Sequence, residues 1–201
     1  MIETMNTNLL TEQNRQNEMQ KLRSSIAMSV LLVSFSMLFA TLILSFVVFR
    51  LSSDMWPPMG MERLPLLFPV LSTVLILVSS LTFEFFVGAL KKADTELARI
   101  LFVSTWVLGL GFMATQFLLW NQMQELGYVL ETGIFASMIY SFTWIHAAHI
   151  ILGLAWLLFL IPALKQQVSF SSFEARILSA GKFWHFLGIV WVLLFITLFV
   201  V

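Results

Sequence analysis

Five runs of apolar residues, at about 25–49, 64–90, 100–120, 133–164 and 177–201, dominate this sequence, and short polar segments separate them. Each run reaches or exceeds the roughly 20 residues that a helix needs to cross a hydrocarbon core about 30 Å thick. Only 11% of the 201 residues are charged and 59% are hydrophobic, whereas a soluble domain carries roughly 25% charged residues. A water-facing surface cannot be built from such a chain. The expectation is an all-α, integral membrane five-helix bundle with no soluble globular domain, because a helix satisfies its own backbone hydrogen bonds in lipid.

The connections set an orientation. Arg15, Lys21 and Arg23 precede the first run, Lys91, Lys92 and Arg99 follow the second, and Lys165, Arg176 and Lys182 join the fourth to the fifth. Only Arg50 and Arg63 lie on the other side. Basic loops resist translocation, so the pattern predicts N-in/C-out. Residues 1–24 then form a polar cytoplasmic N-terminal tail, expected as a frayed or interfacial helix, and 25–201 the five-helix transmembrane domain. The tail is too long and mixed for the n-region of a cleaved signal, so the first run reads as a retained anchor.

Composition removes several function classes. Formal net charge is zero and cysteine is absent. With no large basic cluster, no nucleic acid partner is expected. Without cysteine there are no disulfides, thiolate metal sites or iron–sulfur clusters. No repeat or pair of broken helices suggests a transporter.

Ionisable groups inside apolar helices are costly and are the first functional candidates. They are Glu84 in the second run, His146 and His149 in the fourth, and His185 in the fifth. Histidine is a common ligand of metals and haem, but these three are badly placed for it. His146 and His149, three apart, share one helix face and cannot bracket a haem ring. His149 lies about 22 Å from its helix's cytoplasmic end, at 1.5 Å per residue. His185 sits close to that boundary, so a ligand set would span different layers. The expected role of the histidines is as hydrogen-bonded packing polars, with Gln116 and the hydroxyls of Ser34, Ser36, Thr41, Ser79, Ser80, Thr82, Ser104, Thr105 and Thr115 joining helices. Glu84 and His185 lie at one depth, within about 9 Å of the boundary at helical rise. They could pair, or Glu84 could turn to the headgroup layer. Gly109 and Gly111 with Ala114, and Ala147 and Ala148 with Gly153, read as patches for backbone-to-backbone contact. The numerous Phe and Trp read as lipid-facing surface and interfacial belts, and are assigned to packing.

Several stretches together resemble subunit III of the haem-copper terminal oxidases, in its short bacterial five-helix form. Trp184-His185-Phe186 with Val190-Trp191 is similar to that family's WHFxxxVW signature. His146-Ala147-Ala148-His149 with Gly153 is similar to its HGxHxxxG segment, and Trp56-Pro57-Pro58-Met59-Gly60 to WPPxG. Phe39-Ala40-Thr41, and Gly111-Phe112 with Gln116, agree more weakly. The family usually has acids where this chain has Leu31, Leu119 and Gly188, which sets it apart as a divergent branch and weakens any role that needs those acids.

The resemblance implies a non-catalytic, multi-pass subunit of the bacterial cytoplasmic membrane, beside subunit I and other subunits of a respiratory complex that reduces oxygen and translocates protons. It implies no cofactor in this chain, haem and copper in partner subunits, and phospholipid bound in a helical cleft. Two readings compete with it: the related accessory subunit of a nitric-oxide reductase, and a stand-alone haem-binding membrane protein using His146, His149 and His185.

Overall fold

The computed structural model of the chain describes residues 2–53, 66–129, 133–164 and 170–200. Five helices account for most of them: α1 (Ile2–Leu51), α2 (Leu67–Lys91), α3 (Thr95–Glu125), α4 (Ile134–Leu158) and α5 (Phe170–Phe195). A 3-10 turn at Ile161–Leu164 follows α4, and a π-helical turn at Ile196–Val200 ends α5. All five are long and apolar enough to cross a membrane, and among the described residues there is no strand.

α1, α3 and α5 outrun their apolar runs, whereas α4 stops at Leu158, short of the expected residue 164, ahead of Pro162, which cannot continue a helix. α3 begins at Thr95 and continues to Glu125, past the apolar stretch at both ends. Polar residues are as compatible with helical backbone as apolar ones, so hydrophobicity marks where lipid ends, not where the helix ends. For the same reason α1 runs unbroken through the boundary expected near residue 24. The expected Trp56, Pro57, Pro58 and Gly60 motif lies outside the described residues.

α2 and α3 form the most intimate pair, joined by a tight turn. Asp94 N–H reaches back to Ala89 O at 3.1 Å, a bond that closes a helix C-terminus when the preceding residue is left-handed. Ala93 takes that conformation, at φ 58°. Asp94 also caps α3, accepting from Leu97 N at 3.0 Å, which satisfies one of the free amides of the first turn.

α5 packs against α1, α2 and α4. Its Trp184 is 1% exposed and fills the space between α3 and α4. A Cβ built at Gly109 would stand 3.1 Å from Trp184 Cη2, and one at Gly153 would stand 3.0 Å from Trp184 Cζ3. The expectation of backbone-to-backbone contact at Gly109 and Gly153 is therefore corrected. These glycines make a slot for an indole, while Ala114 and Ala148 are exposed. Phe46, Phe83, Phe86, Phe112, Phe142 and Trp191 are also among the most buried side chains, against the expectation that aromatics mainly face lipid. In a bilayer the gain from association is packing rather than escape from water, and large flat rings supply it.

Two buried clusters result. One, towards the α2–α3 turn, contains Phe83, Phe86, Phe102 and Trp184. The other, towards the opposite end, contains Phe46, Trp120, Met123 and Ile139. Phe186 and Met113 pack against both. In the second cluster Trp120 Nε1 donates to Thr143 Oγ1 at 3.0 Å, and Tyr140 Oη donates to Tyr128 O at 2.9 Å. These bonds fix how the chain leaves α3 and enters α4.

Candidate functional site

Along α2, hydroxyls recur seven residues apart, Ser72 with Ser79 and Thr73 with Ser80, and seven residues bring a helix back to nearly the same face. On α5, Trp184 and Trp191 have the same spacing. The two helices run antiparallel and meet at both levels. Trp191 Nε1 donates to Thr73 Oγ1 at 3.0 Å, and Trp184 Nε1 donates to Ser79 Oγ at 3.3 Å. Ser79 passes its own proton to Thr105 O at 3.0 Å. On the α3 side Ser72 Oγ lies 2.7 Å from Thr115 Oγ1 and accepts from Gln116 Nε2 at 3.0 Å, while Thr82 and Thr105 hydroxyls meet at 2.9 Å. Of the expected helix-joining hydroxyls, those of Ser79, Ser80, Thr82, Thr105 and Thr115 form one seam through α2, α3 and α5 together with Ser72 and Thr73, whereas Ser34, Ser36 and Thr41 bond back to the α1 backbone.

Glu84 and His185 meet at the edge of this seam. His185 Nδ1 is hydrogen-bonded to Ser80 Oγ, and its Nε2 lies 3.4 Å from Glu84 Oε2. The side chains are 35% and 69% exposed respectively. α2 approaches its C-terminus here and α5 has left its N-terminus, so both side chains lean towards their helices' N-termini and converge. The pairing is the arrangement that depth counting allowed.

His146 and His149 do share a face. Phe39 of α1 packs edge-on against both, at centroid distances of 6.1 and 5.5 Å. His149 is half-buried and its Nδ1 donates to Ile145 O at 2.6 Å. His146 is 0% exposed, enclosed by Phe39, Phe112 and Trp191, and neither nitrogen has a hydrogen-bond partner among the described residues. The expectation that all three histidines are hydrogen-bonded fails at His146. Gln116 Oε1 is likewise without a partner. Among the described residues, no three His, Cys, Asp or Glu side chains gather as a metal set.

A groove opens between α1 and α4; the resemblance implied a helical cleft but not its place. α1 leans on α5, for example through Ser24 Oγ and Ser179 Oγ at 3.3 Å. Beside that contact a cavity of about 360 Å³ is lined by Leu31, Phe35, Leu152, Ala155, Trp156, Phe159 and Phe183. A second, of about 470 Å³, lies further along the same two helices, between Leu42, Ser45, Ser137 and Ser141. No residue type in the sequence marks the groove, since its walls are ordinary membrane side chains.

The family model described as cytochrome c oxidase subunit III matches residues 7–201. The chain belongs to that family. Proteins named cytochrome c oxidase subunit 3 resemble it over most of their length. That of Thermostichus vulcanus is 27% identical over 176 residues, 87% of this chain and 86% of the relative. That of Bacillus sp. strain PS3 is 28% identical over 166 residues, 82% and 79% of the two chains, and that of Synechocystis sp. is 29% identical over 169, 84% and 71%. The subunit III signature residues Trp184, His185, Phe186 and Trp191 all lie on α5. Three of them hold it to its neighbours: Trp184 in the glycine slot, His185 on Ser80 and Trp191 on Thr73. At the three positions where the resemblance leads one to expect acids, this chain has leucine or glycine. Leu31 lines the groove, Leu119 is fully buried, and a Cβ at Gly188 would meet only Ile76 Cγ1, at 4.0 Å.

Proposed function

We propose that this chain is the non-catalytic third subunit of a respiratory haem-copper oxidase in a bacterial cytoplasmic membrane, N-in/C-out, bracing subunit I, which carries the haem and copper and reduces oxygen while protons are translocated. The observation that carries the reading is how the polar side chains are used. Nearly every hydroxyl of the α2, α3 and α5 seam is bonded to a neighbouring helix or to its own backbone. Such groups hold helices together and leave little to bind a substrate. Family membership supplies the complex in which such a bundle has work to do.

An affinity-tagged chain is expected to bring an oxygen-consuming complex with haem-copper absorption through mild detergent, together with subunit I. Stripping the chain from the complex should leave that absorption intact and shorten the time over which activity survives turnover. Nitric-oxide reduction without oxygen uptake by the purified complex, or stoichiometric haem or copper on the isolated polypeptide, would overturn the reading.

Phospholipid belongs in the α1–α4 groove on this reading. The walls of the smaller cavity are almost wholly apolar, which suits an acyl chain. Ala155→Trp fills that space, and native mass spectrometry of the complex is expected to find fewer retained phospholipids than in the wild type. An unchanged lipid complement would place the lipid elsewhere.

A further inference from the structure

We propose that the stripe of α2 carrying Glu84 and Gly88 is the seam on which a membrane-spanning helix of another oxidase subunit packs, presenting a hydrogen-bond donor to the Glu84 carboxylate. This rests on the reading that the chain works within a multisubunit oxidase.

Glu84 stands seven residues before Lys91, the last residue of α2, so it lies about 10 Å from that end at 1.5 Å per residue. Helical side chains lean towards the helix N-terminus. The Glu84 carboxylate is therefore carried away from the nearer headgroup layer and into hydrocarbon. His185 approaches one of its oxygens, Oε2. The side chain remains 69% exposed, and a charged group inside a membrane helix is costly when lipid alone surrounds it. An acyl chain has no donor to offer the carboxylate, whereas a neighbouring helix does.

Gly88 is a second, separate indication. It lies one turn beyond Glu84 on the same face. A Cβ there would meet no atom within 4 Å, unlike those at Gly109, Gly153 and Gly181, which would press on Leu154, Trp184 or Phe83. Nothing inside the bundle calls for glycine at 88, a residue that weakens helices. It leaves a notch that opens outward. Val70, Val74, Leu77 and Leu81 extend the same line and are 47%, 52%, 45% and 59% exposed. With Glu84 and Gly88 they alternate spacings of four and three, which keeps one seam facing a partner in a left-handed helix pair.

Charge argues against a second copy of this chain as occupant. A two-fold axis within one membrane runs along its normal, so each residue near the axis would meet itself. Glu84 would then face Glu84.

The test uses the whole oxidase in native membranes. A photoactivatable benzophenone amino acid replaces Leu81, or Val107 on α3, which is 60% exposed, as the control. The probe at 81 is expected to cross-link to another oxidase subunit and the probe at 107 to lipid alone. Separately, Glu84→Leu and Gly88→Leu should insert as well as the wild type, yet leave about tenfold less of this chain on the purified oxidase, while Glu84→Gln retains most of it. Lipid-only or self-adducts at 81, or full retention of both leucine variants, would sink the inference while leaving the functional reading intact. Absence of oxidase from the wild-type preparation would instead sink that reading and this inference with it.

Discussion

Trp184→Ala is expected to lower the stability of the folded subunit by about 2–4 kcal/mol, read from unfolding by a denaturing detergent. The indole occupies a slot between Gly109 on α3 and Gly153 on α4, with its Nε1 on Ser79 of α2, so its removal opens a void where four helices meet. In lipid the separated helices are solvated as well as the packed ones. The loss is therefore one of van der Waals contact and of one hydrogen bond, and it falls towards the low end of the range for large-to-small changes in soluble cores. Ser79 keeps its bond to Thr105 O, so no polar group is stranded. Gly153→Ala attacks the same contact from the other side. Its Cβ would lie 3.0 Å from a ring carbon that cannot swing away, and overpacking of this kind costs about 1–3 kcal/mol. Combining the two changes should restore part of the loss, because the second methyl then enters space that the first change vacated. Strict additivity of the two effects would show that slot and indole do not act on each other.

His146→Phe is expected to act in the opposite direction. The imidazole is fully enclosed by Phe39, Phe112 and Trp191, and neither nitrogen has a partner among the described residues. A buried polar group left unsatisfied costs about 1–3 kcal/mol, and replacing it with an apolar group of similar shape removes that penalty. A gain of about 1–2 kcal/mol in the same unfolding measurement is the expected result. His149→Phe should give no such gain, since its Nδ1 already bonds to Ile145 O. A clear destabilisation by His146→Phe would mean that the ring holds a hydrogen-bonded group inside the bundle.

The sequence made some of this legible and hid the rest, for physical reasons. Span number is written in one dimension, because each helix must be apolar over its own length whatever its neighbours are. The meeting of Glu84 with His185 was within reach too, since depth in a bilayer follows from counting residues to a charged end. The fit of Trp184 between Gly109 and Gly153 was not. Those residues come from three helices, and the rotation of each about its axis is set by packing that hydropathy does not encode when the outside of the bundle is as apolar as the inside. The same ambiguity hides which of the many aromatic side chains, such as Phe83 and Phe112, turn inward. The unsatisfied state of His146 was invisible because it depends on which side chains happen to surround the ring.

The position of α5 has a consequence for how the chain comes together during synthesis. The α2–α3 hairpin can close as soon as its two helices have left the ribosome, its partners being adjacent in sequence. α1 is made first, yet it leans chiefly on α5, which is made last. It must therefore wait in the bilayer, through three further insertions, for the surface that completes its packing. Any shortage of partners during that interval falls on the oldest helix, and a chain cut short before residue 170 would leave α1 with its α4 contacts, such as Phe39 on His146 and His149, but without the α5 surface.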